Sequence, residues 1–117
     1  KLLAGSHLES QNHAGWLDGT LGMVYGLECA RAISEDPATA GLGVDVAAWF
    51  DEEGHFGSFL GSRSFVGLLS EDEIDGAKNR YDGTPLREAL EKAGFAGRPR
   101  ETFRAGRYRG YVEAHIE

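Results

Sequence analysis

The chain is poor in several residue types, and each shortage excludes something. One cysteine, Cys29, stands among 117 residues. It has no partner within the chain, so a small secreted fold stapled by disulfides is excluded. No apolar run approaches the ~20 residues that span a bilayer, so no membrane helix is expected. The start, Lys1-Leu2-Leu3-Ala4-Gly5-Ser6-His7, has an apolar patch but no signal-peptide layout, because His7 arrives too early. A soluble, reducing, cytoplasmic setting is therefore expected. Basic residues are scarce in the first half. Residues 1–58 carry nine acids against two bases, whereas residues 59–117 carry ten of each, so the net charge of −7 sits in the first half. Nucleic-acid binding calls for a basic surface. The one basic cluster, Arg98, Arg100, Arg104, Arg107 and Arg109, reads as a solvated loop and strand edge. Proline occurs 3 times and glycine 17 times, the latter roughly twice the usual ~7% share. The glycines follow no fixed period, which excludes collagen. They point to tight turns and close backbone approaches instead of a loose linker.

What remains is ordinary globular material, 41% hydrophobic and 26% charged. The length allows one domain at most. Leu2-Leu3-Ala4-Gly5 reads as the end of a buried strand, followed by a polar loop to Gly15. A helix is predicted from near Asp18 to about Ser34. Its apolar stripe is Leu17, Leu21, Val24 and Leu27, with Cys29 packed inside it. Glycines 19, 22 and 26 weaken such a helix and make sense if it packs closely on a sheet. Val44 to Phe50 is a second strand with the nearly continuous apolar end of a parallel sheet. Phe59, Leu60, Ser64 and Phe65 have helical spacing. Ser70 and Glu73 form a capping box. Thr84-Pro85 opens a helix, with Pro85 at its first position, that stops at Gly94. A last strand is predicted over Tyr108 to Ile116. Alternating strands and helices give an α/β fold: a mixed, mostly parallel sheet flanked by helices.

Three polar groups fall at strand ends: Ser6-His7-Leu8-Glu9 with Asp18 soon after, Asp51-Glu52-Glu53-Gly54, and Glu113-Ala114-His115. Ligands of open α/β sheets bind beyond the carboxyl ends of strands, so these groups can converge. Two imidazoles and several carboxylates make a nitrogen and oxygen set suited to Zn²⁺, Mn²⁺, Co²⁺ or Ni²⁺. A short Asp at a helix start, Asp18, could bridge two ions. Of the adjacent Glu52 and Glu53, one could ligate metal while the other reaches water. Each residue also has an ordinary reading when taken alone: a loop histidine, a solvated acidic turn, a structural histidine on a strand. His13 and His55 read as polar loop residues, His55 with the option of touching substrate. Arg63 reads as the partner of a nearby carboxylate. Trp16 and Trp49 read as packing residues around the site.

Four segments together resemble a family. They are Gly5-Ser6-His7-Leu8-Glu9-Ser10, Leu17-Asp18-Gly19-Thr20-Leu21-Gly22, Trp49-Phe50-Asp51-Glu52-Glu53-Gly54 and Tyr111-Val112-Glu113-Ala114-His115-Ile116-Glu117. In this order, and with Gly61-Ser62-Arg63 between the last two, they resemble motifs of the amidase, hydantoinase/carbamoylase family. That family includes N-carbamoyl-L-amino-acid hydrolases, β-ureidopropionase and allantoate amidohydrolase, and is related to dinuclear zinc aminopeptidases and carboxypeptidases.

The resemblance implies a zinc-peptidase-like catalytic domain, of which residues 1–117 are the N-terminal part. The lid or dimerisation domain and the C-terminal catalytic part would then lie outside these residues. It implies two divalent metal ions (Zn²⁺, Mn²⁺, Co²⁺ or Ni²⁺). His7 and His115 would ligate the first, Asp18 would bridge, and Glu53 would ligate the second. Glu52 would be the general base that activates water. Glu9, where the family usually has Asp, would orient His7. A histidine at position 115, where related peptidases usually have a carboxylate, favours the carbamoylase branch. The activity implied is hydrolysis of a linear ureido or amide C–N bond in a small molecule by a homodimeric enzyme that engages neither nucleic acid nor membrane. The alternatives are a dinuclear metallopeptidase or deacylase of the same superfamily, and an inactive homologue that serves as a binding protein.

Overall fold

A computed structural model describes residues 1–116. Glu117, the last residue of the final motif, lies outside the described residues. The chain divides into two compact units, residues 1–50 with the segment from Arg104 onward, and residues 51–103.

The first unit is a three-stranded parallel sheet with one long helix. Strand β1 is Leu2–His7, helix α1 is Thr20–Glu35, strand β2 is Val44–Trp49, and strand β3 is Tyr111–Val112. The order is β2-β1-β3, so the most buried strand is central. Leu2 to His7 pair with Val44 to Trp49 in step, while Leu3 and Ala4 pair with Tyr111 and Val112 on the other side. The β-branched and apolar content of β2 suits a strand covered by a helix, as the sequence predicts. Between α1 and β2 the chain turns through a short 3-10 segment, Pro37–Thr39, capped by the Asp36 carboxylate on the Ala38 N–H at 2.8 Å.

Helix α1 forms where its spacing predicts, but its inward face is different. Gly22, Met23 and Gly26 are buried, whereas Leu17, Val24 and Leu27 of the apolar stripe are exposed. Gly22 decides this. A Cβ there would lie 2.0 Å from the Ala114 carbonyl oxygen, whereas one on Gly26 would make only ordinary contact, 3.5 Å from the Gly5 nitrogen. Only the glycine face lets the helix backbone settle on β1 and the segment after β3. Cys29, on the outward side, is exposed and does not pack as its position in the helix led us to expect. Trp16 is also exposed, at 77%.

The predicted strand over Tyr108 to Ile116 shortens to two residues. Beyond Val112 the main chain leaves the ladder. The side chains of Glu113 and His115 are engaged elsewhere, as described below.

The second unit contains three short helices: α2 (Leu60–Phe65), α3 (Glu71–Gly76) and α4 (Leu86–Lys92). Leu60, Leu69, Ile74 and Leu86 form its core, with Phe56, Ala77 and Leu90 packed against them. Burial of each such side chain is worth ~2 kcal/mol. Ser70 and Glu73 make the predicted capping box at the start of α3. Pro85 sits one place earlier than predicted, as the N-cap of α4. Gly94, at φ 75°, ends α4. Its N–H donates to the Glu91 carbonyl and that of Phe95 to Leu90, the reciprocal pair of a Schellman motif. Arg63 pairs with Glu73 and donates to the Leu68 carbonyl, in keeping with its reading as a local structural cation.

Candidate metal centre

His7 is the last residue of β1 and is fully buried. One ring nitrogen, Nδ1, lies 2.8 Å from the main-chain oxygen of Glu9. A carbonyl oxygen only accepts, so Nδ1 carries the proton, and Nε2 of the neutral ring keeps its lone pair for a ligand. The backbone of Glu9 thus helps to orient His7.

Asp18 stands just ahead of α1. Gly19, which follows it, is the helix N-cap with φ 73°, a conformation that L side chains rarely adopt. The space is also closed. A Cβ there would fall 2.4 Å from atoms of the His7 imidazole. Gly19 therefore lets the turn present Asp18 while the His7 ring lies flush against it.

His115 follows β3. Its Nε2 comes within 3.2 Å of His7 Nε2 and 2.8 Å of Asp18 Oδ1, and His7 Nε2 lies 3.6 Å from the same carboxylate oxygen. Asp18 Oδ1 is nonetheless buried without a hydrogen bond. The ring proton of His115 can serve His7 or Asp18, not both. With both rings neutral, two imidazole nitrogens and a carboxylate oxygen thus share at most one proton. A buried carboxylate oxygen left without a donor costs ~1–3 kcal/mol.

A divalent cation would satisfy all three atoms at once. Tetrahedral ligands at ~2.0–2.1 Å from Zn²⁺ lie about 3.3 Å from one another, and the three separations here bracket that figure. The residues present therefore fit a metal ion. The donor set, two imidazoles and one carboxylate, suits Zn²⁺ and its neighbours in the first transition row.

Glu52 and Glu53 belong to the second unit and are half-buried there. The loop that carries them is fixed by a residue to which the sequence reading gave no role. Asp51 has φ 60° and a fully buried carboxylate. Its Oδ1 accepts the main-chain N–H groups of His55 at 2.6 Å and Phe56 at 3.0 Å, and its Oδ2 accepts that of Gly57 at 2.7 Å. In sequence Asp51 hides in an acidic run. The only signal is an Asp, one of the residues that tolerate positive φ, followed by a glycine-rich turn. The His55 ring leans on Tyr81 with centroids 5.6 Å apart, and His13 lies exposed in the polar loop.

A second feature went unread. Ser6 is fully buried beside His7 and donates to Glu113, which also accepts from Tyr111, and Tyr111 in turn accepts from Trp49. Burial, and then the neighbouring carboxylate, push the Tyr111 phenol well above its ordinary pKa, so it stays a donor. Of the basic cluster, Arg100 pairs with Glu71 and Arg107 with Asp45. These arginines are engaged within the fold. Among the described residues, no helix is long and apolar enough to cross a membrane.

Known proteins are similar to this chain over nearly all of its length. The chain is 34% identical over 121 residues to an N-carbamoyl-L-amino acid amidohydrolase of Geobacillus stearothermophilus, a match that covers 99% of this chain and 29% of that protein. A solved amidase of the hydantoinase/carbamoylase family from Burkholderia phymatum shares its fold with a TM-score of 0.94 at 53% identity, over 99% of this chain and 28% of that one. In sequence and fold, this chain is similar to hydantoinase/carbamoylase-family amidases. An allantoate deiminase of Arabidopsis thaliana is 32% identical over 99% of the chain and 23% of its own length. No protein-family model matches. The chain thus spans under a third of the length of these relatives. Its fold, an α/β fragment with a parallel three-stranded sheet, matches one segment of theirs.

Proposed function

We propose that this chain is part of the catalytic domain of a metal-dependent amidohydrolase. The substrate class is a linear ureido or amide compound: an N-carbamoyl amino acid, a β-ureido acid or an allantoate-like molecule. The observation that carries the reading is the convergence of His7 Nε2, Asp18 Oδ1 and His115 Nε2 around a carboxylate oxygen that has no hydrogen bond. The named activities of the relatives support the C–N bond as target.

His7, Asp18 and His115 would hold one ion, and Asp18 with Glu53 would hold a second. Bound divalent ions supply Lewis acidity toward a carbonyl oxygen and make water more acidic. The rest falls to the chain's own groups. The Glu9 carbonyl keeps His7 in the tautomer that presents Nε2 outward. Glu52 acts as general base: its carboxylate takes a proton from the attacking water and later delivers it to the leaving nitrogen. The whole enzyme would be a cytoplasmic homodimer.

The test uses the full-length protein. Metal content and hydrolysis of N-carbamoyl amino acids, allantoate, N-acyl amino acids and dipeptides are measured before and after Glu52→Gln. The variant should retain its metal and lose ~10²–10⁴-fold in kcat on a ureido substrate. Unchanged turnover in Glu52→Gln would sink the assigned base. Turnover of dipeptides alone would move the protein to the peptidase branch.

A further inference from the structure

The ladder between β1 and β3 ends at Val112, so main-chain pairing does not set the position of His115. Side chains take over. Ser6 Oγ donates to Glu113 Oε1 at 2.6 Å, and the Tyr111 hydroxyl donates to Glu113 Oε2 at 2.6 Å. The phenol has one proton, and the Gly5 carbonyl at 3.2 Å is the poorer acceptor for it. Trp49 Nε1 completes the chain by donating to the Tyr111 oxygen at 2.7 Å. Each partner comes from a different strand, Ser6 from β1, Trp49 from β2 and Tyr111 from β3. On the helix side, the Ala114 carbonyl sits in the space left by the missing side chain of Gly22. Residues 113 and 114 are therefore pinned from two directions, immediately before His115.

Taking His115 as a metal ligand, as proposed above, we infer that Glu113 is a positioning residue. Its carboxylate clasps Ser6 and Tyr111 and thereby sets His115 Nε2 opposite His7 Nε2 and Asp18 Oδ1. Two donors converge on it, and a carboxylate offers an acceptor oxygen to each. A glutamine at this place can accept from only one of them. Ser6 adjoins His7 in β1, so the clasp ties the two histidines to a common frame. Supports of this kind commonly change metal affinity by 10–100-fold when removed.

The experiment is a Co²⁺ titration of the metal-free, full-length protein, read from the visible absorption of the bound ion. It is run on wild type, Glu113→Ala, Glu113→Gln and His115→Ala, at a temperature where circular dichroism shows each to be folded. Glu113→Ala should bind Co²⁺ about 10–100-fold more weakly, with an altered absorption band. Glu113→Gln should lose less, because one of its two donors is still accepted. If Glu113→Ala does not fold, Tyr111→Phe replaces it, with a smaller loss of the same sign expected. Suppose His115→Ala loses binding while Glu113→Ala stays within about twofold of wild type with an unchanged band. The clasp is then structural only and the inference is overturned, with the metal centre intact. Wild type that takes up no Co²⁺, or His115→Ala that binds like wild type, overturns the metal centre itself and this inference with it.

Discussion

Single residues in this chain act through the space they leave as much as through the groups they carry. Gly19 shows both effects and allows them to be separated. An alanine there meets a left-handed backbone and a Cβ 2.4 Å from the His7 ring. Gly41 has the same kind of backbone, at φ 91°, with nothing within 4 Å. Gly41→Ala should therefore show only the conformational cost, ~1 kcal/mol, and leave metal affinity alone. Gly19→Ala should show a larger loss of stability together with at least about tenfold weaker Co²⁺ binding, because the imidazole must move. Thermal denaturation and Co²⁺ titration of the two variants make the comparison. Equal metal affinity in both would mean that the His7 ring tolerates displacement. Asp51 gives a second residue-level prediction. Two carboxylate oxygens take three main-chain donors, and an amide would turn an N–H toward one of them. Asp51→Asn should cost ~1–3 kcal/mol and speed amide hydrogen exchange at positions 55–57. Exchange rates unchanged at these amides would count against Asp51 as the anchor of that loop.

At the level of elements, the parts with local physics were legible and the parts decided by distant partners were not. The start of α3 is the clearest local case. Ser70 accepts from the Glu73 N–H, and the Glu73 carboxylate reaches back to the Ser70 N–H while pairing with Arg63. Arg63 first, and then the Ser70 backbone, hold the Glu73 carboxyl down at about 2. A lowered folded-state pKa stabilises the fold above the unfolded value, and that contribution fades as pH falls through the folded value. Glu73→Gln should therefore be less stable than wild type at pH 7, with the gap closing between about pH 4.5 and 2. Urea unfolding across that range checks it, and a gap that persists at pH 2 would contradict the linkage. The caps of α3 and α4 and the span of α1 could be read because a few neighbouring residues specify them. The inward face of α1 could not. Leu17, Leu21, Val24 and Leu27 make a plausible stripe, but the carbonyl of Ala114, more than 80 residues away, selects Gly22 instead. The length of β3 failed for a related reason. Its alternating residues look extended, yet Glu113 and His115 are drawn to Ser6 and to the other two donor atoms of the metal centre. Of that candidate centre, His7, Asp18 and His115 could be read as candidate ligands at strand ends and in ordered motifs. Their supports, the Glu9 carbonyl, Gly19 and Glu113, could not, because a backbone oxygen, an absent side chain and a clasp leave no compositional mark.

For the molecule as a whole, the ratio of site to surface is the telling quantity. Among the described residues only six hydrophobic side chains are buried: Leu3, Met23, Leu60, Leu69, Ile74 and Leu86. Trp16, Val24, Leu27 and Val112 stand more than half exposed, and β2 and β3 are both edge strands. Such edges and apolar surface normally meet further protein. The relatives supply the scale, since the chain spans 28% of the Burkholderia phymatum amidase. Yet one unit by itself holds three donor atoms for one ion, His7, Asp18 and His115. Binding and turnover should therefore part company. The 117-residue chain should take up about one Co²⁺ per molecule, weakly, as three protein ligands allow. It should also bind an apolar dye such as ANS and hydrolyse ureido substrates no faster than free Co²⁺. The full-length protein should bind more tightly and turn over substrate. Parallel titrations, dye fluorescence and product assays on the two chains decide the matter. Robust hydrolysis by the 117-residue chain would show that the groups described here suffice, and that the remainder of the relatives' length serves something other than the chemistry.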